Sequence, residues 1–185
     1  MKKLFLLSLF ILPALASFAQ RFEVSEQAGA SFTNSELAKS GFANQLAFGY
    51  HPLKHFSVTA FYETNFWKCT NNSYGLSLDY TCRYFFAGIE GKAAFLAPIS
   101  YTINGEGPYT VTYKTGYGYG LHAGSKQKIW KNLSLIEQVG YVVLPLTGSE
   151  KYPAYNNQWA TTYPTASYKE TLNYFYARIG VTYRL

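Results

Sequence analysis

Apolar and polar residues alternate along most of the chain with a period of two, the repeat of a β-strand with two different faces. In the stretch after Gly41, Phe42, Leu46, Phe48 and Tyr50 fall on one face and Ala43, Gln45, Ala47 and Gly49 on the other. Phe56, Val58, Ala60, Tyr62 and Phe66 alternate with Ser57, Thr59, Phe61, Glu63 and Asn65. Near the C-terminus Phe175, Ala177, Ile179, Val181, Tyr183 and Leu185 alternate with Tyr174, Tyr176, Arg178, Gly180, Thr182 and Arg184. Each stretch reaches the roughly 10 residues of a tilted membrane strand, whereas globular strands centre on about 5–6. The pattern predicts eight strands, over 22–32, 41–51, 55–67, 83–93, 95–103, 109–124, 132–146 and 168–185. Pro98, Asn104-Gly105 and Gly107-Pro108 interrupt the fifth and sixth, where the turn has no clear place.

The connections are of two kinds. His51 to His55 and Gly124 to Asn132 are short, while 33–40, 68–82 and 147–167 are longer and polar. Short turns at one end and long loops at the other are the signature of an antiparallel up-and-down transmembrane β-barrel. Two acids resist it. Glu26 and Glu137 share the parity of lipid-facing neighbours, which a β-bulge beside each would repair.

Composition sharpens this picture. Charged residues make up only 14% of the chain and aromatics 19%, with 18 Tyr and 14 Phe, against about 25% charge in an ordinary soluble domain. The mean hydropathy of -0.10 excludes a helical membrane protein, and the apolar content excludes disorder. Residues 1–19 read as a secretory signal: Lys2 and Lys3, an apolar run from Leu4 to Leu12, and Ser17-Phe18-Ala19 before a cut near Ala19. That leaves 20–185 as one barrel domain with a net charge of about +4. No Lys/Arg cluster in the sequence suggests nucleic acid.

The C-terminal run RIGVTYRL places Arg178, Gly180, Tyr183 and Leu185 in an order that resembles the terminal β-signal of outer-membrane proteins. Leu185 stands where that signal more often has Phe. With the leader and the alternation, the chain is similar to the small eight-stranded outer-membrane barrels, the broad group of OmpX-like, OmpA-like and OmpW-like proteins. The resemblance implies a Gram-negative outer membrane, contact with its lipid, and handling by the barrel-assembly machinery during biogenesis.

Eight strands enclose a lumen just wide enough for side chains, so inward charges must pair. The inward candidates are Glu63, Glu90, Lys92, Lys114, His122 and Arg178. Gly116, Gly118, Gly120 and Gly124 share one face. They read either as a ligand cradle or, preferably, as room for large lumen side chains opposite. Trp67 and Trp130 are expected in interfacial girdles. Cys69 and Cys82 bracket an expected loop, and an oxidising compartment predicts a disulfide there. His51 and His55 flank a turn containing Pro52, which argues for a hairpin and against a helical metal pair.

Within 147–167, Tyr152, Tyr155, Trp159 and Tyr163 stand among Asn, Thr and Ser, a mixture suited to glycan or protein contact or to headgroups alone. No metal or cofactor is expected. Some barrels of this group modify lipid A, and a deacylase of that kind sets His and Ser together facing lipid. His122 has no such serine beside it, so the expected role is non-enzymatic: structural, or in surface interaction through the loops. A narrow channel is the other alternative.

Overall fold

The computed structural model describes residues 21–33, 35, 40–67, 70–102, 108–151, 154–155, 161–162 and 164–185. The expected leader, 1–19, and the expected cut near Ala19 lie outside the described residues. Eight antiparallel strands close a barrel: β1 (Phe22–Thr33), β2 (Gly41–Leu53), β3 (Phe56–Phe66), β4 (Thr70–Cys82), β5 (Phe85–Leu96), β8 (Gly116–Trp130), β9 (Leu133–Lys151) and β12 (Thr165–Arg184). Between β5 and β8 a hairpin of β6 (Ile99–Thr102) and β7 (Pro108–Tyr113) leaves the barrel wall, and β10 (Ala154–Tyr155) pairs with β11 (Thr161–Thr162). β12 pairs with both β9 and β1, which closes the ring. Without that closure two edge strands would carry unpaired backbone groups into lipid, where each is costly.

The outer surface is the apolar face of the alternation. Phe42, Leu46, Phe48, Leu76, Leu78, Ile89, Leu121, Ile179 and Val181 are all exposed there, a belt whose burial requires hydrocarbon rather than water. Aromatic pairs mark its margins. Phe42–Phe66 and Phe32–Phe175 lie at the end where the long connections are, and Phe22–Phe48 and Phe56–Tyr80 at the end with two-residue turns. The turns are Lys54-His55, Arg83-Tyr84 and Lys131-Asn132. By the rule for such barrels, the short-turn end is periplasmic.

β9 has 19 residues and β12 has 20, about twice what a membrane crossing needs. Their outer ends project past the rim. β7 joins the projecting part of β9, pairing Thr110 with Lys151 and Tyr113 with Gly148, and β6 adds to β7. The result is a four-stranded sheet, β6-β7-β9-β12, standing above the barrel on the loop side.

Four sequence expectations change. Within the expected loop 68–82, residues 70–82 are β4, paired along its length with β3 and β5. The strand count of eight stands, but from the expected strands 95–103 and 109–124 residues 95–96 end β5, while 99–102 and 108–113 leave the wall as the β6–β7 hairpin. The segment expected to be closed by a disulfide is thus a strand. Cys69 lies outside the described residues; Cys82 ends β4, exposed and without a disulfide partner among the described residues. Gly124 to Asn132 is no connection either, since β8 runs on to Trp130. Finally, no bulge turns Glu26 or Glu137 inward. β1 keeps unbroken register with both neighbours, and the two register shifts found fall at Tyr50/Leu53 and Lys128/Trp130. Both acids face outward, and Ser125 donates its hydroxyl to Glu137 at 3.1 Å.

The placement of Cys82 gives a direct test of orientation. In a Cys69→Ser variant, a 5 kDa maleimide polymer should leave Cys82 unlabelled on intact cells and label it once the outer membrane is permeabilised. Labelling of Cys82 from outside would restore 68–82 as a surface loop.

Candidate functional site

The lumen is layered along the barrel axis. Its middle holds charge. Glu63, fully buried on β3, receives Lys92 Nζ of β5 at 2.8 Å and Arg178 Nη2 of β12 at 2.8 Å on the same carboxylate oxygen. Asn65 and Tyr174 donate to its other oxygen. Lys92 also reaches Glu90 at 2.9 Å and Tyr174 Oη at 2.9 Å. The guanidinium of Arg178 lies over the Tyr176 ring, 3.9 Å from its centre. Tyr176 in turn donates to Glu90 at 2.9 Å and accepts from Gln138 at 3.1 Å. These groups meet because β3, β5 and β12 present their inward positions at one level. Every charge in the cluster has an opposite charge within ion-pair distance, which is the first condition for keeping it out of water, while Arg178 Nε and Nη1 and Asn65 Oδ1 have no hydrogen-bond partner among the described residues.

Toward the loop end the lumen turns apolar. Trp67, Ala94, Val142, Leu144, Leu146, Leu172, Tyr174 and Tyr176 pack as one buried cluster. Trp67 stands edge-on to Tyr174 at 5.1 Å and donates from Nε1 to Ser31 Oγ at 2.6 Å. Trp67 is therefore a lumen residue, contrary to the girdle expectation. One residue past the end of β3, it turns inward with the parity of Glu63 and Asn65. Trp130 sits outside, at the opposite rim.

Toward the turn end the lumen is polar. His122 bonds Asp79 through Nε2, and its Nδ1 is 3.6 Å from Glu90. Ser57, Thr59 and Ser77 direct their hydroxyls to the other oxygen of Asp79. A cavity of about 50 Å3 lies among Ser25, Gln45, Ser57, Asp79, His122 and Gln138. At the mouth Glu23 takes His51 at 2.9 Å and Lys126. His55 sits in the turn beside it, Nδ1 2.9 Å from the carbonyl of Thr81. Among the described residues no three His, Cys, Asp or Glu side chains form a metal-binding group.

Of the six inward candidates, the structure brings Glu63, Glu90, Lys92, His122 and Arg178 together. Lys114 is the correction. It is exposed in the link between β7 and β8, where its backbone N–H donates to Thr147. Its assumed parity required one unbroken strand from 109 to 124. Gly116, Gly118 and Gly120 do face inward, and the space they leave is occupied. A Cβ at Gly116 would lie 2.6 Å from Leu146, and one at Gly120 3.1 Å from Glu90 Cγ. Asp79, Tyr174, Tyr176 and Gln138 are members that sequence reasoning missed. Tyr174 and Tyr176 carried a usable signal, because they share the face of Arg178.

On the β-signal, Arg178 and Gly180 point inward while Tyr183 and Leu185 are exposed outside. A Cβ at Gly180 would come within 2.0 Å of the Glu26 carbonyl oxygen, so only glycine fits that contact between β12 and β1. Of the loop candidates, Tyr152, Trp159 and Tyr163 lie outside the described residues, and Tyr155 is described only as backbone in β10. Below them the projecting sheet carries its own tyrosines. Tyr101 stacks on Tyr109 at 5.3 Å and donates to Glu150, which pushes its phenol up to about 12. Tyr113 meets Tyr168 edge-on at 5.8 Å, and Glu170 accepts from Tyr168 at 2.8 Å and from Ser35 at 2.6 Å.

The charge cluster predicts an asymmetry between removing one member and removing all. Glu63→Ala leaves Arg178 without a carboxylate and Lys92 with Glu90 alone, and should cost about 3–5 kcal/mol, whereas Glu63→Leu with Glu90→Gln, Lys92→Met and Arg178→Leu should recover most of it. Urea unfolding in detergent, followed by the change in gel mobility on boiling, measures both. A quadruple variant as unstable as the single one would refute the pairing account.

No family model matches the chain, and no curated protein does. Solved structures do resemble it. Neisserial surface protein A superposes with a TM-score of 0.56 at 15% identity, covering 89% of this chain and 97% of that one. The outer membrane protein OprG from Pseudomonas aeruginosa gives 0.54 at 9% identity, covering 89% and 96%. The outer membrane protein AlkL gives 0.53 at 12%, covering 89% and 90%. The likeness runs along nearly the whole of each chain, so the fold is that of the small eight-stranded outer-membrane barrels.

Proposed function

We propose that the protein is an integral outer-membrane barrel whose wall acts as an anchor and whose loop-side sheet and loops contact glycans or proteins at the cell surface. The observation that carries this reading is the filled outer half of the lumen. Trp67, Leu144, Leu146, Leu172 and Tyr174 pack above an ion-paired charge network, an arrangement that favours an anchor over a conduit. The projecting β6-β7-β9-β12 sheet, with its tyrosine pairs, supports a role outside the membrane. Aromatics joined to carboxylates suit polyhydroxylated or peptide surfaces.

The small polar cavity at the turn end favours, on its own, the narrow-channel alternative. At about 50 Å3 it has room for a water or two and leads up to the charge network. His122 is bonded to Asp79 inside the lumen, which supports a structural part for it rather than attack on lipid A. The assembly machinery would read β12, where Tyr183 and Leu185 are displayed outward.

Two measurements test the proposal. Purified protein in a planar bilayer should give no stepwise conductance above the protein-free membrane; steady unitary currents would favour the channel. Replacing 152–163 by a short Gly-Ser linker should keep the mobility shift on boiling but abolish binding of displaying cells to a glycan array. Glycan binding that survives the replacement would remove these loops as the contact site.

A further inference from the structure

The turn end of the barrel gathers cations into one place. Arg83 from the β4–β5 turn, Lys126 and Lys128 from the inner face of β8, Lys131 from the β8–β9 turn and Arg184 from the end of β12 line a single pocket of about 240 Å3. They are scattered in sequence and converge only through register. Lys126 and Lys128 share the inward parity of His122, and Arg184 that of Arg178. Glu23 is the one acid in the lining, and it is already taken by Lys126 and His51. Among the described residues Arg83, Lys128, Lys131 and Arg184 have no acidic partner. Four uncompensated like charges around a small concavity repel one another and create a strong local potential for an anion.

Three further observations point to an occupant. Thr182 lies in the pocket wall, 1% exposed, with its hydroxyl lacking any hydrogen-bond partner. Arg83 has a φ of 54°, in a turn position that normally falls to Gly, Asn or Asp. Holding a long side chain there costs free energy, and such strain clusters at ligand-binding positions. Next to the cations, and sharing Lys131 and Asn132 with them, is an apolar notch formed by Trp130, Leu133 and Tyr183 on the outer face.

We propose that this pocket binds a phosphate group, with Arg83, Lys128, Lys131 and Arg184 around the oxygens and Thr182 donating from the wall. Guanidinium forks match a phosphate's oxygens in pairs, while lysines add point charge. The phosphate could belong to a phospholipid headgroup, with an acyl chain against Trp130 and Tyr183, or to a soluble phosphate at the barrel mouth. The inference rests on the barrel spanning a membrane with this end at a headgroup surface. It does not depend on what the loops bind.

The test uses the full barrel refolded in phosphate-free detergent, with inorganic phosphate followed by calorimetry. In parallel, native mass spectrometry follows lipid retention after exchange from vesicles of phosphatidylethanolamine with phosphatidylglycerol. Lys128→Ala with Arg184→Ala is the diagnostic variant, and Lys54→Ala, in the β2–β3 turn outside the pocket, is the control. Both must show the mobility shift on boiling, and Thr182→Val offers a milder probe should the double variant not fold. The expected result is affinity lower by about tenfold or more in the diagnostic variant and unchanged in the control. Retained phosphatidylglycerol with weak inorganic phosphate identifies a headgroup site; the reverse identifies a soluble anion. No binding by the native protein, or equal loss in the control, overturns the proposal.

Discussion

The rest of the structure depends on backbone pairing in a medium that offers no water. A strand in hydrocarbon must find both neighbours, so β12 has to meet β1 as well as β9. Once the ring is closed, each residue has one of two fates, lipid or lumen. Closure at eight strands leaves a lumen narrow enough for side chains to fill, so whatever faces inward must be satisfied by other inward side chains. The Glu63 cluster, the Trp67 cluster and the Asp79–His122 pair are three ways of meeting that demand at three depths.

Closure also explains how much of the fold was legible. Alternation reveals a strand when one face is apolar, and β2, β3 and β12 read directly from their aromatic and aliphatic spacing. β4 was hidden by its inward face: Asn71, Ser73, Gly75, Ser77, Asp79 and Thr81 gave it the average composition of a loop. Its outward face still carries Tyr74, Leu76, Leu78 and Tyr80 at every second position. Periodicity was the better guide there, because a lumen wall is polar by necessity. In 95–113 the signal failed for a different reason. The hairpin that leaves the wall is short and buries only the cross-strand pair Ile99 and Val111 on one face, too few positions for a period to show, and it pairs with the overhang of β9, a partner that local sequence does not announce.

The lumen cluster was legible to the extent that parity was. Glu63, Glu90, Lys92, His122 and Arg178 follow from counting twos along strands whose limits were nearly correct. Lys114 failed because its strand begins two residues later, at Gly116. Asp79 was missed because its strand was missed. Trp67 was placed outside on the general habit of tryptophan at interfaces. Its inward turn depends on a hydroxyl at Ser31 and a ring at Tyr174, both far off in sequence.

Why charge is kept in the lumen at all follows from register. An apolar interior of equal volume would stabilise a closed barrel as well or better, but it would not distinguish one pairing from its neighbour. β12 sets Arg178 opposite Gly29 on one side and Gln138 on the other. A slip of one residue would turn Arg178 into lipid, at a cost of about 2–4 kcal/mol near the midplane, and bring apolar Ala177 and Ile179 against Glu63. The same slip on β3 or β5 would expose Glu63 or Lys92. Each charge therefore penalises a wrong register on its own strand, and the shared carboxylate of Glu63 couples β3, β5 and β12 so that only one combination satisfies all three. On this account the buried ions act chiefly through the alternatives they exclude, and Glu26 and Glu137 mark what the design tolerates. They are outward acids on the two strands that flank β12, and only Glu137 has a hydroxyl from Ser125 to soften its position.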